Sequence, residues 1–391
     1  MKALMLNAER KTAYVQDIPK PIPSSHEVLV QVDAIALNPV DALYVFHPLG
    51  STGRVVGSDF AGTIVSLAGF GNIAVPPNCG LQPGTRVGGF CQGACSVNDR
   101  PGAFAEFLVC PWDLLFTVPE GMAMEQAATI SLCGLTVAQA VYYRLGLKAP
   151  FTWKQTGESD SHLQSDGSGA DTEFFIYGAS TSVALYAAQL VRRSAEVSGT
   201  KIGLLGTASP KRFQMLKSLP YLYDKLVDYH DPEWPGKISG SAETCSVQYA
   251  LDWISEGDSV RKVSQTLRED GKMVVVRSRE GGAWKADDLA IEPVYGAVWE
   301  GLGEDIQYAG IRVAQSLDAR AFAVEFFRWL TNGGKLEPNS VRVMPGGLEK
   351  VVVDGLTLLG SSLMEDRKPQ KEQGESWMKS VSAEKLVYRI T

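Results

Sequence analysis

The chain has 391 residues and lacks most of the features that assign a function quickly. It has no apolar run of about 18 residues, the length a helix needs to cross a bilayer. The N-terminal stretch MKALMLNAERKTAYVQ meets charge too early for the core of a secretion signal. No strongly basic block is present and the formal charge is −7, so nucleic acid is not an expected partner. Six cysteines in a chain this long do not suggest a disulfide scaffold, and a reducing, cytoplasmic compartment is expected. There is no internal repeat.

Metal ligands are scarce as well. Cys79, Cys91, Cys95 and Cys110 fall in one region, but their gaps are not those of a structural zinc lobe. The four histidines, His26, His47, His162 and His230, lie in turns or polar stretches. A metal-free protein is expected.

What is present is globular: 45% hydrophobic and 21% charged residues, enough chain for two domains. The first third reads as short strands between Gly and Pro turns. Lys2–Leu6 and Glu27–Ala36 are the clearest, with Pro19, Pro21 and Pro23 between them. The segments starting at Gly57, Pro83 and Gly102 continue the pattern, which predicts a compact, barrel-like β domain. From Glu125 the apolar spacing turns helical. Lys148–Thr172 is polar, Gly/Ser-rich and aperiodic, and reads as a flexible surface insertion.

Strand and helix then alternate. Phe174–Tyr177, Lys201–Leu205, Leu226–Tyr229, Tyr249–Trp253 and Lys272–Val276 are the expected strands of a doubly wound parallel sheet. A long helix is expected over Leu317–Asn332, another near Gly346–Leu359, and a last strand over Lys385–Ile390.

The most informative stretch is Glu173–Arg193. A buried strand ends at Tyr177, Gly178-Ala-Ser-Thr-Ser makes a tight turn, and Val183, Ala187, Leu190 and Val191 begin a helix at its proper spacing. The helix N-terminus offers N–H groups to a pyrophosphate. Of the G-x-G-x-x-G fingerprint only Gly178 is kept; Ser180 and Val183 replace the other glycines. An NAD site usually has an acid at the end of the second strand. Here that end carries Ser209, Pro210, Lys211 and Arg212, one hydroxyl and two cations for a 2′-phosphate, so NADPH is the expected cofactor. An ordinary basic helix start is the competing reading.

Several marks along the chain form one pattern: Asn38-Pro39-x-Asp41, Gly57-x-Asp59-x-Ala61-Gly62, Pro83-Gly84-x-Arg86-Val87, Gly102-Ala103-Phe104-Ala105-Glu106 and Glu125-Gln126-Ala127-Ala128. Together they resemble the medium-chain dehydrogenase/reductase superfamily. The Tyr177–Thr181 turn, Ser209-Pro210, and the tail Ser382-Ala-Glu384-Lys385-Leu386-Val387-Tyr-Arg389 look most like the trans-acting enoyl reductases of fungal polyketide pathways. The resemblance implies an α/β chain in two parts. A GroES-like β-barrel domain spans residues 1–134 and is completed by 340–391. A Rossmann domain spans residues 135–339, with the polar insertion at 148–172. A polyketide synthase would be the partner and a monomer is favoured. The implied reaction is NADPH-dependent reduction of an α,β-unsaturated thioester on a carrier domain. Hydride goes to the β-carbon, charge moves to the thioester oxygen, and the α-carbon is protonated.

The resemblance also carries site residues. Pro39, Val40, Asp41, Ala42, Ser180, Thr181, Ser182 and Val183 would contact the cofactor. Tyr229 would lie beside the adenosine, Arg277 and Ser278 near the nicotinamide half, and Ser382 and Ala383 would return from the tail. Substrate walls would come from Val137, Ala138, Gln139, Ala140, Val141, Tyr142, Tyr143 and Arg144, and from Ala297, Val298, Trp299, Glu300 and Gly301, in a pocket between the domains. Tyr142 and Trp299 would gauge chain length, although part of the first wall must be core stripe. Relatives often carry a lysine two residues after the Asp; this chain has Leu43 there. Tyr44 is therefore a candidate proton donor, and Thr136 a second candidate catalytic residue at the mouth of the cofactor cleft. Two other functions fit the same marks: a quinone or enone reductase acting on free small molecules, and a non-reducing binding or scaffold relative.

Overall fold

The computed structural model describes residues 1–67, 79–154, 172–240, 246–285, 287–308, 310–361, 363–364 and 375–390. The chain divides into two compact units: Met1–Leu132 with Glu304–Gln315 and Phe326–Thr391, and Cys133–Gly303 with Ser316–Glu325.

The first unit is built on a seven-stranded sheet. Along its path run Val341–Met344, Lys385–Arg389, Glu27–Ala36, Gly57–Leu67, Arg86–Gly93 and Leu115–Thr117, and Phe107–Pro111 also pairs with Glu27–Ala36. Alternation in EVLVQVDAIA explains the central strand: Val28, Val30 and Val32 enter the core, while Gln31 and Asp33 turn away. The strands enclose Phe60, Ile64, Phe104, Leu108, Leu386 and Tyr388, all buried. Gly57 adopts a left-handed φ of 101°, and a Cβ there would stand 2.1 Å from the Phe104 ring. The tail strand Lys385–Arg389 closes on Glu27–Ala36, pairing Val387 with Ala36 and Tyr388 with Ile35.

The second unit carries a six-stranded, all-parallel sheet in the order Lys225–Asp228, Ile202–Ala208, Thr172–Tyr177, Val247–Asp252, Lys272–Val275, Val294–Tyr295. In chain order this is 3-2-1-4-5-6. The order reverses between Thr172–Tyr177 and Val247–Asp252, the switch point at which doubly wound sheets open a crevice for a ligand. Both faces are covered, so Phe174, Phe175 and Ile176 are all fully buried. The helix Ser182–Ser198 packs with Ala184, Leu185, Ala187, Ala188, Leu190 and Val191 and ends on Gly199 in the left-handed conformation.

Three details depart from expectation. A sixth strand, Val294–Tyr295, extends the sheet beside Val274 and Val275. The expected helix over Gly346–Leu359 is a succession of tight and wide turns, Gly347–Lys350 and Val351–Leu356, with only Thr357–Leu359 α-helical. Gly355 lies in that succession, where a Cβ would stand 2.4 Å from Leu37. The start of the expected insertion is also packed: Phe151 and Trp153 hold Phe322 at ring separations of 5.4 and 4.8 Å. The rest of it, residues 155–171, lies outside the described residues, as does His162.

Candidate active site

In the second unit the strand Thr172–Tyr177 delivers the chain to a turn at the switch point. Gly178 has a φ of 77° and nearly touches Ile254, where a Cβ would lie 3.0 Å from Cγ1. The turn is fixed from the neighbouring strand: the Gly178 amide donates to Thr207 Oγ1 at 3.2 Å, and the Ala179 amide to the Thr207 carbonyl at 2.8 Å. Thr181 caps the helix, its Oγ1 accepting from the Ala184 amide at 3.3 Å. Ser180, Thr181, Ser182 and Val183 are all half-buried at the surface of this turn. A helix N-terminus so presented suits an anion by its dipole and its amides.

The neighbouring strand, Ile202–Ala208, ends in Ser209 and a single 3-10 turn, Pro210–Arg212. Ser209 and Arg212 are half-buried and Lys211 is exposed. Tyr229 follows the third strand, 46% exposed, with its ring 3.9 Å from that of His230. The switch-point carboxylate Asp252 is buried and accepts from the Ile254 and Ser255 amides and the Ser259 hydroxyl. Burial pushes its carboxyl up to about 6.

Arg277 and Ser278 are engaged locally. Arg277 Nη1 pairs with Glu256 Oε1 at 2.5 Å, and Ser278 Oγ accepts from the Gly281 amide at 3.2 Å. The two expected substrate walls meet within this unit: Arg144 Nη2 donates to Glu300 Oε1 at 2.9 Å, whose oxygen also caps the Ala297 amide at 2.8 Å. Most of the first wall is core. Val137, Ala138, Gln139, Ala140, Val141 and Tyr142 are buried, and Tyr142 donates its hydroxyl to the Leu190 carbonyl at 2.8 Å, behind the helix Ser182–Ser198. Ala297, Val298, Trp299 and Gly301 are buried too, leaving Thr136, Tyr143, Arg144 and Glu300 partly open.

The first unit contributes something the sequence did not announce, a buried polar cluster. Asn38 and Pro39-Val40-Asp41 open the helix Pro39–Phe46. Asp41 uses both oxygens: Oδ2 accepts from the Asn38 amide at 2.7 Å and Oδ1 from the Ser58 hydroxyl at 2.8 Å. A β-bulge between Gly57 and Asp59 lets the consecutive side chains of Ser58 and Asp59 both reach Asn38 Nδ2, at 3.0 and 2.9 Å. Asp59 Oδ2 also accepts from Lys385 Nζ at 2.6 Å, and its Oδ1 from the Leu132 amide at 2.8 Å. Desolvation drives the Asp41 carboxyl up to about 7. Pro39 is exposed, Val40 and Leu43 are half-buried, and Ala42 and Tyr44 are buried. Ser382 and Ala383 precede the tail strand; Ala383 holds a left-handed φ of 53°.

Among the described residues, no group of three or more His, Cys, Asp or Glu side chains is arranged to hold a metal ion. Cys91, Cys95 and Cys110 are buried, and burial pushes their thiols up, that of Cys91 to about 12. No helix of the described residues is long and apolar enough to cross a membrane.

Comparison with known proteins extends these observations. Residues 24–120 match the alcohol dehydrogenase GroES-like domain. The chain is 27% identical to the trans-enoyl reductase ACTTS2 of Alternaria alternata, over 100% of this chain and 98% of that protein. It is 29% identical to the trans-enoyl reductase FSL5 of Gibberella zeae, over 96% and 93%. Among solved structures, the CurK enoyl reductase superposes with a TM-score of 0.65 at 15% identity, covering 100% of this chain and 99% of that one. A mycobacterial structure complexed with NADPH also gives 0.65, at 17% identity and the same coverage. The chain thus resembles the medium-chain dehydrogenase/reductase superfamily from end to end and, within it, the trans-enoyl reductases.

Proposed function

We propose that the protein is a trans-acting, NADPH-dependent enoyl reductase that saturates an α,β-unsaturated thioester carried by a partner polyketide synthase. The observation that carries the reading is the end of the second parallel strand. It presents Ser209, Lys211 and Arg212 beside the Gly178–Val183 turn, with no carboxylate in the run Leu205–Arg212. Gly178 with its left-handed φ leaves the turn close to the backbone, and Ser180, Ser182 and Val183 are small enough to let a pyrophosphate approach. These residues fit the dinucleotide.

When bound, NADPH supplies the hydride for the β-carbon. The chain's own residues do the rest. Ser180–Val183 hold the pyrophosphate, Ser209, Lys211 and Arg212 the 2′-phosphate, and Tyr229 the adenosine. Pro39–Ala42 and Ser382–Ala383 would contact the cofactor, and Arg277 and Ser278 would lie near its nicotinamide half. No metal is needed, because hydrogen-bond donors suffice to polarise a conjugated thioester. The partly open Thr136 and Tyr143 are the contacts we assign to the acyl chain. Leu43 cannot donate a proton, which leaves Tyr44, a ribose hydroxyl of the cofactor or water for the α-carbon. Whole-length similarity to trans-enoyl reductases supports the choice of substrate.

The test is to incubate the protein with NADPH and an enoyl thioester on its carrier domain, then repeat with a free enone. Faster turnover of the carrier-bound chain supports the reading. Turnover of the enone alone would make the protein a small-molecule reductase. Cofactor binding without turnover of either would leave a scaffold.

A further inference from the structure

Two segments of the first unit face the cofactor in the reading above, Pro39–Ala42 and Ser382–Ala383, and they are far apart in sequence. The strands beside them pair at Val387 and Ala36, and the Leu37 amide donates to the Leu386 carbonyl at 2.9 Å. To this backbone pairing a buried ion pair adds a side-chain link. Lys385 opens the tail strand two residues after Ala383, and its ammonium meets Asp59 at 2.6 Å. The two side chains are 2% and 0% exposed. Asp59 in turn takes the Asn38 carboxamide at 2.9 Å and the Leu132 amide at 2.8 Å, so one carboxylate ties three separate stretches of chain. Asn38 also donates its own amide to Asp41, which fixes the first turn of the helix Pro39–Phe46.

Stability does not explain this arrangement well. A buried pair loses its hydration, and well-packed apolar residues of similar volume hold a core equally well or better. What an ion pair with directed hydrogen bonds adds is a fixed geometry. Here that geometry is imposed on backbone that is itself constrained: Ala383 sits at a left-handed φ of 53°, and Ser58 and Asp59 lie on a bulge. The bulge carries Asp59, and Ala383 lies two residues before Lys385.

We propose that Asp59 and Lys385 are positioning residues. They form one buried clamp that holds Pro39–Ala42 and Ser382–Ala383 in the conformation that receives the cofactor. Neither side chain need touch the cofactor. The inference rests on the proposed reading for what the segments receive, but not for the clamp itself. Its signature differs from that of the phosphate-binding cations. Loosening the clamp weakens NADPH and NADH by the same factor, because the 2′-phosphate lies elsewhere.

The experiment uses the full chain and the paired variant Asp59→Asn with Lys385→Met, which removes both charges at once and strands neither. Hydrogen exchange read by peptide mass spectrometry is measured without cofactor, and NADPH and NADH affinities are measured by titration. The expected result is faster exchange confined to peptides covering 38–46 and 380–390. NADPH and NADH affinities fall together, about tenfold, with their ratio unchanged. Lys385→Arg, which keeps the charge, is expected to leave both readouts near those of the wild type; if the paired variant does not fold, Lys385→Gln, which removes the cation but can still donate to Asp59, is measured in its place with the same expected changes. Exchange unchanged in these peptides, or raised evenly across the β unit, would overturn the clamp. If the wild type binds neither nucleotide, the proposed function fails, while the exchange pattern still decides whether the clamp exists.

Discussion

The two units treat their polar groups in opposite ways. In the β unit, Asn38, Asp41, Ser58, Asp59 and Lys385 are buried and bonded to one another. In the parallel-sheet unit, most of the turn Gly178–Val183 and the run Ser209–Arg212 is half-buried, and Pro210 and Lys211 are exposed. One unit holds its polar side chains in a buried, mutually bonded frame, and the other holds them nearer the surface. Substitutions in the frame should therefore register first in stability, and substitutions at the turn first in ligand affinity.

The largest expected effect tests that contrast from the frame. Lys385→Met alone leaves Asp59 charged and buried without its cation, and should cost about 3–5 kcal/mol in chemical denaturation. A loss as small as that of a surface substitution would show that the pair is hydrated rather than buried.

Next comes a pH dependence. The carboxyls of Asp41 and Asp252 are raised by burial to about 7 and about 6. A carboxyl whose pKa is higher in the folded state favours folding in its neutral form. Its contribution is whole below its ordinary range, near pH 4, and is lost as the pH rises through the folded value. Stability should therefore fall between about pH 4 and pH 7 on this account. Asp252→Asn keeps the oxygen that accepts from both backbone amides and can donate to Ser259, so it should remove about 3 kcal/mol of that fall. An unaltered pH profile in the variant would rule out Asp252 as its source.

From the turn side, Lys211→Ala with Arg212→Ala should weaken NADPH by about 10- to 100-fold, roughly 1.4–2.7 kcal/mol, with NADH binding and the melting temperature unchanged. Equal losses for both nucleotides would mean that the 2′-phosphate sits elsewhere. The smallest effect is expected at Tyr142. Its hydroxyl bonds the Leu190 carbonyl inside the unit, so Tyr142→Phe should cost about 1 kcal/mol of stability and leave chain-length preference as it was. A shifted product length would place that ring against the acyl chain instead.

The contrast also explains which parts were legible in the sequence. Periodicity placed the strand Glu27–Ala36 at its observed bounds and the Gly178 turn between strand and helix, because each is encoded by neighbouring residues. The strand Val294–Tyr295 is two residues long and owes its pairing to Val274 and Val275, which no local pattern reveals. The tail beyond Gly346 has helical apolar spacing, yet Gly346, Gly347 and Gly355 interrupt it and the last packs against Leu37 and Tyr388. The run Val137–Tyr142 is buried as an ordinary core stripe would be. Least legible was the frame. Nothing in the residues around Lys385 names its partner, and only the fold brings it across 326 positions to Asp59.

The most direct measurement follows NADPH absorbance together with the mass of the acyl chain on its carrier domain, with the partner synthase present. Loss of NADPH matched by a gain of one hydride and one proton on the chain, with NADH far less effective, is the predicted result. NADPH bound but not consumed, with the enoyl chain unchanged in mass, would contradict the assignment as a reductase.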